Sequence, residues 1–399
     1  MGIERVWNPE VRVGGVYGTW GECYDSNTLP KAVEKYLGRP LKDEERLSLD
    51  ELGFLYRHHT PVLSEEDHLE LEVQVGVRLL REAARVNGWE PEQVEGVLIG
   101  VTMPAAEDYV ARIAREAGIP SDALKVSIHK ACDGSVAGLN LALNPELSVT
   151  RHLGLNIAEA LYGKRVLVGG IEGLSRKVNA SQDTQALQLF GNAAGVIGVI
   201  PGQTFTFLAG GTHEAYDEEG MLQLRMFYPH SRQRIEGQSL VEVTQAGENH
   251  IRVAGMQHEP EDASVPISMA GPMGMVKLFV RNGVVAVRNV YNVHRQRMAE
   301  QGRPDKDVTV AIVHHANLKI NQLKEKQLQK EGIHMPMPWL LSDFGNVSAA
   351  SNMVAFLRVL PDLRPGDHVL FDGFGAGSYY DVVVVEVGST SPVKPQFTG

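Results

Sequence analysis

Between residues 94 and 200, short apolar runs of strand length alternate with stretches of helical pattern, and this alternation directs the chain to an α/β architecture. The apolar runs are VEGVLIGVT (94–102), ALKVSIH (123–129), RVLVGGIE (165–172) and NAAGVIGVI (192–200). Helical segments lie around them. SEEDHLELEVQVGVRLLREAARVNG (64–88) has Ser64 as its N-cap with Asp67 three residues on, and Gly88 as its stop. AEDYVARIAREAGI (106–119) ends at Gly118, and an amphipathic run with Val136, Leu139 and Leu143 at helical spacing follows Cys132.

The second half repeats the alternation. Residues 203–262 are more polar and irregular, and a long helix falls within 266–291. DVTVAIVHH (307–315) reads as a strand, followed by helices over 317–332 and 347–360. DHVLFDGFGAGSYYDVVVVEV (367–387) reads as two strands around a glycine turn. No low-complexity linker separates the halves, so the expectation is a duplicated fold divided near Pro201, with units 1–201 and 202–399. Residues 1–60 read as mixed and turn-rich.

Composition narrows the function classes. A formal charge of −11 argues against non-specific nucleic-acid binding. Two cysteines far apart cannot build a disulfide framework, which points to a reducing, cytoplasmic setting. The N-terminus lacks an apolar signal core, and no apolar run reaches membrane-spanning length. Val6 stands where a myristoylation signal wants Ser or Thr.

Three short segments carry chemistry. HKACDGSVAGLNLALN (129–144) sets Cys132 between a strand and a helix, where a thiolate gains from free backbone N–H groups and the helix dipole. VHHANL (313–318) and DFGNVSAAS (343–351) each mark a polar strand-to-helix junction, the kind of sheet edge at which α/β proteins place their sites. Singly, each has a plain structural reading: a packed cysteine, a solvated histidine turn, and Asn346 as an N-cap. RHHT (57–60) lacks metal-ligand spacing and GTHEAYDEEG (211–220) lacks alternating calcium ligands, so no metal site is expected. GFGAG (373–377) lacks the context of a dinucleotide fingerprint. Cys23 reads as structural, and MAGPMGM (269–275) as packing.

Taken in order, the segments AC-D-GS, FGNAAG, MAG, HHANLKI, FGNVSAAS and GFGAG resemble the β-ketoacyl-acyl-carrier-protein synthase III branch of the thiolase superfamily. That family has a nucleophile segment like ACAGF, an HQAN box and a GNTSAAS box. The likeness runs from about residue 94 to 380, with a thinner echo at LGFLYRHHT (52–60). It implies a five-layer αβαβα fold and a homodimer. It implies an acyltransferase that loads an acyl group on Cys132 and condenses it, with loss of carbon dioxide, with a malonyl-type thioester. His314 and Asn346 then match the family's catalytic His and Asn, and His315 fills its Gln position. The backbone N–H groups of Cys132 and Ala376 form the oxyanion hole, and Phe190, Asn317 and Glu107 are candidate substrate contacts. No cofactor is implied; coenzyme A or acyl-carrier-protein thioesters are the substrates.

The sequence also departs from the family. Asp133 follows the cysteine where a small residue is usual, and its charge opposes thiolate formation. Ser135 stands where an aromatic is common, and ERLSLDELGF (45–54) and DTQALQLF (183–190) lack the family's Trp and Arg for the coenzyme A nucleotide. A carrier-protein donor is therefore as consistent with the sequence as coenzyme A. Three other functions stay open: acyl transfer to another acceptor, a head-to-head condensation using a glutamate from the partner subunit near Glu107, and a non-enzymatic acyl- or carrier-binding subunit.

Overall fold

The computed structural model describes residues 2–176, 183–216, 225–226, 235–256, 267–268, 276–376 and 378–388. The Met-rich segment 269–275, Gly377 of the glycine turn and the chain after 388 lie outside the described residues.

Two sheets organise the chain. The first begins with β1 (Gly2–Asn8), β2 (Val13–Thr19), β3 (Gly96–Gly100), β4 (Leu124–His129), β5 (Val166–Glu172) and β6 (Ala193–Val199). After β7 (Phe205–Glu214), the hairpin β8 (Val241–Gly247) and β9 (His250–Gly255) returns to that first sheet. Strands β10 (Val310–Val313), β11 (His368–Gly375) and β12 (Tyr379–Val387) complete the second sheet with β7. The first sheet runs β1-β2-β6-β5-β3-β4-β9-β8 and the second β10-β11-β12-β7.

The duplication is visible in the pairing. Neighbours β2-β6-β5-β3 are antiparallel, antiparallel and parallel in turn, and β7-β12-β11-β10 repeats that pattern. Helices α1 (Glu65–Val86) and α2 (Tyr109–Ala117) cover the outer face of the first sheet. Between the sheets lie α3 (Gly134–Leu143) and α6 (Ser351–Val359), and the outer face of the second sheet carries α4 (Gly283–Glu300) with α5 (Leu318–Lys330) beside it. The arrangement is the five-layer αβαβα fold.

Local sequence explains these elements. Ser64 Oγ accepts the Asp67 N–H and caps α1, and Gly118 closes α2 in the left-handed region that glycine adopts without cost. The amphipathic expectation for the run after Cys132 is corrected by the structure: every residue of α3 is buried. A helix held between two sheets has no solvent face and so is apolar almost all round. Of its two polar residues, Asn140 is bonded, with Nδ2 donating to Asp381 Oδ1 at 2.7 Å. Residues 1–60, read as turn-rich, in fact supply β1 and β2, and the region read as irregular supplies β7, β8 and β9.

Candidate active site

Cys132 sits in a single 3-10 turn, Ala131–Asp133, that feeds directly into α3. The second half repeats the device: the turn Ser348–Ala350 feeds α6. Each turn opens on a residue in the left-handed region, Ala131 at φ 49° and Ser348 at φ 44°. The two turns meet. Ser348 Oγ donates to Cys132 Sγ at 3.2 Å. Burial, with the nearby Glu172 and Asp133 charges, pushes the thiol up to about 12, while the Ser348 hydrogen bond pulls it down.

His314 follows the end of β10, where its N–H donates to the Asp372 carbonyl at 2.9 Å. Its ring is 1% exposed and stands edge-on to Phe374, with centroids 5.1 Å apart. Among the described residues neither ring nitrogen has a hydrogen-bond partner. A buried polar ring without partners is costly unless another molecule supplies them. Burial, then His315 and Lys324, lowers its pKa to about 3, so the ring is neutral and carries one N–H donor. His315 turns away to a structural role: the Leu340 N–H donates to its Nε2 at 3.0 Å, and its ring lies 4.6 Å from that of Trp339.

Asn346 has its amide orientation set by the backbone. Its Oδ1 accepts the Ser348 N–H at 3.0 Å and its Nδ2 donates to the Ala316 carbonyl at 3.3 Å. One Nδ2 hydrogen is left to face a ligand. The asparagine does not cap α6, whose first turn starts at Ser351. The residue is bridged in register to Phe190, whose carbonyl is held by His59 Nε2 at 2.7 Å.

The glycine turn meets the nucleophile from the other sheet. A Cβ added at Gly375 would lie 2.5 Å from the Lys130 carbonyl oxygen, 3.0 Å from the Asp133 nitrogen and 3.1 Å from the Cys132 nitrogen. Only glycine permits that approach, and it brings the following residue, Ala376, beside Cys132. Below the turn, Lys130 pairs with Asp133 at 2.9 Å and with Asp381, and the Asp381 N–H donates to Asp133 Oδ1 at 3.2 Å. Burial and the neighbouring Asp381 hold the Asp133 carboxyl well above the ordinary range, against the pull of Lys130, so little of its charge is directed at the thiol.

Other expected residues fall differently. Asn317 caps α5, its Oδ1 accepting the Ile320 N–H at 2.9 Å. Glu107 is exposed in the turn before α2. Cys23, read as structural, is an exposed free thiol on the strand Glu22–Asp25. Among the described residues no cluster of three or more His, Cys, Asp or Glu side chains is placed to hold a metal ion.

Sequence reasoning missed Glu172, Thr102 and Ser348. Glu172 ends β5 fully buried, and its Oε1 accepts hydrogen bonds from the Thr102 N–H at 2.9 Å, the Thr102 hydroxyl and the Ala349 N–H at 3.2 Å. The available signal was a lone carboxylate closing the otherwise apolar run VLVGGIE (166–172).

The family model for the C-terminal part of 3-oxoacyl-[acyl-carrier-protein] synthase III matches residues 298–387, a span that holds His314, Asn346 and Ala376. The β-ketoacyl-[acyl-carrier-protein] synthase III of Nitratidesulfovibrio vulgaris is 27% identical over 312 residues, covering 74% of this chain and 78% of the relative. The chain is similar to β-ketoacyl-[acyl-carrier-protein] synthase III over about three quarters of its length. A second synthase III, from Aquifex aeolicus, is 24% identical over 311 residues, covering 76% of this chain and 81% of its own length. The solved Aquifex aeolicus 3-oxoacyl-[acyl-carrier-protein] synthase III shares the fold, with TM-score 0.63 and 20% identity over 96% of this chain and all of that one. So does the 1,3,6,8-tetrahydroxynaphthalene synthase of Streptomyces coelicolor, a bacterial type III polyketide synthase (TM-score 0.62, 12% identity, 95% and 99% covered). These similarities bear out the resemblance carried by the Cys132, His314 and Asn346 segments of this synthase III-like chain.

Proposed function

We propose that this enzyme takes an acyl group onto Cys132 and condenses it with a malonyl-type thioester, releasing carbon dioxide and a β-ketoacyl product. The observation that carries this reading is His314: a fully buried, neutral imidazole with both nitrogens unpartnered among the described residues, near an Asn346 amide whose orientation is fixed. Two neutral donors suit a developing enolate oxygen better than they suit any protein partner.

The steps follow from the residues. The Cys132 sulfur attacks the donor thioester carbonyl. The Cys132 N–H and the Ala376 N–H hold the oxyanion as the thioester collapses, and the donor thiolate leaves. The extender enters, its thioester oxygen between His314 and Asn346. Loss of carbon dioxide leaves an enolate whose oxygen these two donors hold, and the enolate carbon attacks acyl-Cys132, releasing the cysteine sulfur. The reaction draws on no prosthetic group of the protein's own.

The donor we propose is a carrier-protein or coenzyme A thioester in the cytoplasm. Arg57, in the segment echoing the family, is fully buried with its guanidinium on the carbonyls of Gln188 and Phe54, so it is not available to a nucleotide. That favours the carrier protein. We propose a homodimer as well; the open edges of the first sheet are β1 and β8, so a sheet continuing into a partner runs through one of them. Among the described residues no helix is long and apolar enough to cross a membrane.

Intact-mass analysis after incubation with acyl-carrier-protein and acyl-coenzyme A panels, with and without a malonyl-thioester, tests the reading. The expected result is one acyl adduct on Cys132 and carbon dioxide release only when extender is added. Acylation without carbon dioxide release from any malonyl donor would replace condensation by acyl transfer. Light scattering tests the dimer.

A further inference from the structure

We propose that Glu172 is the acceptor of the Cys132 thiol proton, reached through the hydroxyls of Ser348 and Thr102. The inference rests on the reading of Cys132 as a nucleophile. It answers a question that reading leaves: what removes the thiol proton from a site that disfavours the thiolate.

The geometry is a continuous line of buried hydrogen bonds. Cys132 Sγ lies 3.2 Å from Ser348 Oγ, which lies 2.7 Å from Thr102 Oγ1, and the Thr102 hydroxyl donates to Glu172 Oε1. All four side chains are buried. His314 does not share in it, since neither of its nitrogens is bonded within the described residues and its neutral ring is a poor proton acceptor. Asp133 is engaged by Lys130 and the Asp381 N–H.

Ser348 supplies an independent argument. It holds φ 44°, a conformation for which glycine is the unstrained choice. A serine there carries backbone strain, and the Asn346 side chain, accepting its N–H, holds it in place. The hydroxyl so placed is the one that touches Sγ.

The proton balance closes over the cycle. With the Ser348 hydroxyl turned from Sγ toward Thr102 Oγ1, the Cys132 S–H proton passes to Ser348 Oγ as the Ser348 proton passes to Thr102 Oγ1 and the Thr102 proton to Glu172 Oε1, which leaves Ser348 donating to the thiolate as in the structure. The net change is a thiolate and a neutral glutamic acid. The thiolate forms the acyl bond, and the donor's departing thiolate takes its proton from solvent. When condensation later expels the Cys132 thiolate, the same line returns the proton from Glu172.

Burial raises Glu172 to about 8, against the pull of the Thr102 hydroxyl and the Thr102 and Ala349 N–H groups. Other charges face the pair. Glu72 lies behind Gly173 and is paired with Arg176 at 2.8 Å, Tyr109 donates to the Glu72 carbonyl, and Asp133 with Lys130 lies beside Cys132. A base tuned near the working pH serves proton transfer well.

The test is the pH profile of Cys132 alkylation by iodoacetamide, which needs no acyl donor and so separates failure of the relay from failure of the condensing reading. Wild type is expected to show a limb rising with pH around 8. Glu172→Gln keeps the side-chain shape and should remove that limb, slowing alkylation at pH 8.5 by roughly 10²-fold. A carboxylate that were only a neighbouring charge predicts the opposite sign, because removing it favours the thiolate. Thr102→Val should behave like Glu172→Gln, whereas Thr102→Ser should keep the limb, and this pair decides the matter should Glu172→Gln fail to fold. Alkylation that is unchanged or faster in Glu172→Gln, or equal loss in Thr102→Val and Thr102→Ser, overturns the proposal.

Discussion

Gly375→Ala isolates the oxyanion hole from the nucleophile. The new Cβ would stand 2.5 Å from the Lys130 carbonyl oxygen, against the 3.4 Å at which ordinary contact begins, with the Asp133 and Cys132 nitrogens at 3.0 and 3.1 Å. All three are backbone atoms, so no side-chain rotamer relieves the clash, and the end of β11 must retreat from the nucleophile turn. Ala376, the next residue, retreats with it. An oxyanion donor works at about 2.7–3.1 Å, so a retreat approaching an ångström removes it and costs roughly 10²–10³ in rate. Overpacking of this kind costs about 1–3 kcal/mol of stability, which a thermal melt would register while the protein stays folded. The assay is single-turnover acylation followed by intact mass, run beside alkylation by iodoacetamide, which builds no oxyanion. Acylation should fall by that factor while alkylation holds within about threefold. Acylation at the wild-type rate in a folded variant, or an equal fall in both reactions, would refute the reasoning.

Other outcomes follow from the same geometry. Cys132→Ser should abolish the acyl adduct, since a hydroxyl without a strong base is a poor nucleophile, and Cys23→Ser, at the exposed thiol, should retain it; mass spectrometry reads both. Asn346→Ala should still acylate while losing about 2–4 kcal/mol of transition-state stabilisation in condensation, measured as carbon dioxide release against acyl-enzyme formed. His314→Ala should show the same split. Stability should fall with acid. His59, His129 and His315 are lowered to about 4 and His314 to about 3, chiefly by burial. Their depressed folded values mean that the unfolded chain binds protons first as pH drops below the ordinary histidine value of about 6.5. Stability is thus full above that point and is lost down to about pH 4, at about 1.4 kcal/mol per pH unit for each histidine while only the unfolded chain binds the proton. A denaturant midpoint that does not move between pH 7 and 4.5 would contradict this.

The strands and helices from 64 to 200 were legible because their patterns are the ones their positions demand: buried central strands read as unbroken apolar runs, and outer helices as amphipathic ones. Strand β2, VGGVYGT, was not, because its glycines read as turn. The reason lies across the sheet, where a Cβ at Gly15 would run into the Val196 carbonyl of β6 and the Leu357 side chain of α6. Helix α3 failed in the opposite way. Its apolar positions gave the helix, but burial against both sheets, which only tertiary packing creates, erased the polar face the pattern suggested.

At the site, Cys132, His314 and Asn346 were legible as boxes, while Glu172, Thr102 and Ser348 were not, and the duplication explains the difference. Each half's turn rests on a strand end of the other half. The Cys132 turn meets Gly375 at the end of β11, and the equivalent turn at Ala349 meets the end of β5, where its N–H donates to Glu172. The two crossings share one backbone plan and differ in side chains. In one, a cysteine meets a glycine, which lets the Gly375 backbone approach the Cys132 turn. In the other, an alanine meets a glutamate, and Ser348, one residue earlier, reaches back to the cysteine of the first. No local stretch of sequence contains either crossing, so a residue that acts only through one, such as Glu172, shows in the sequence only as a lone carboxylate at the end of an apolar strand. The proposed roles make the two crossings separable: with the oxyanion assigned to the glycine crossing and the proton to the glutamate crossing, Gly375→Ala and Glu172→Gln should affect acylation and alkylation in different proportions.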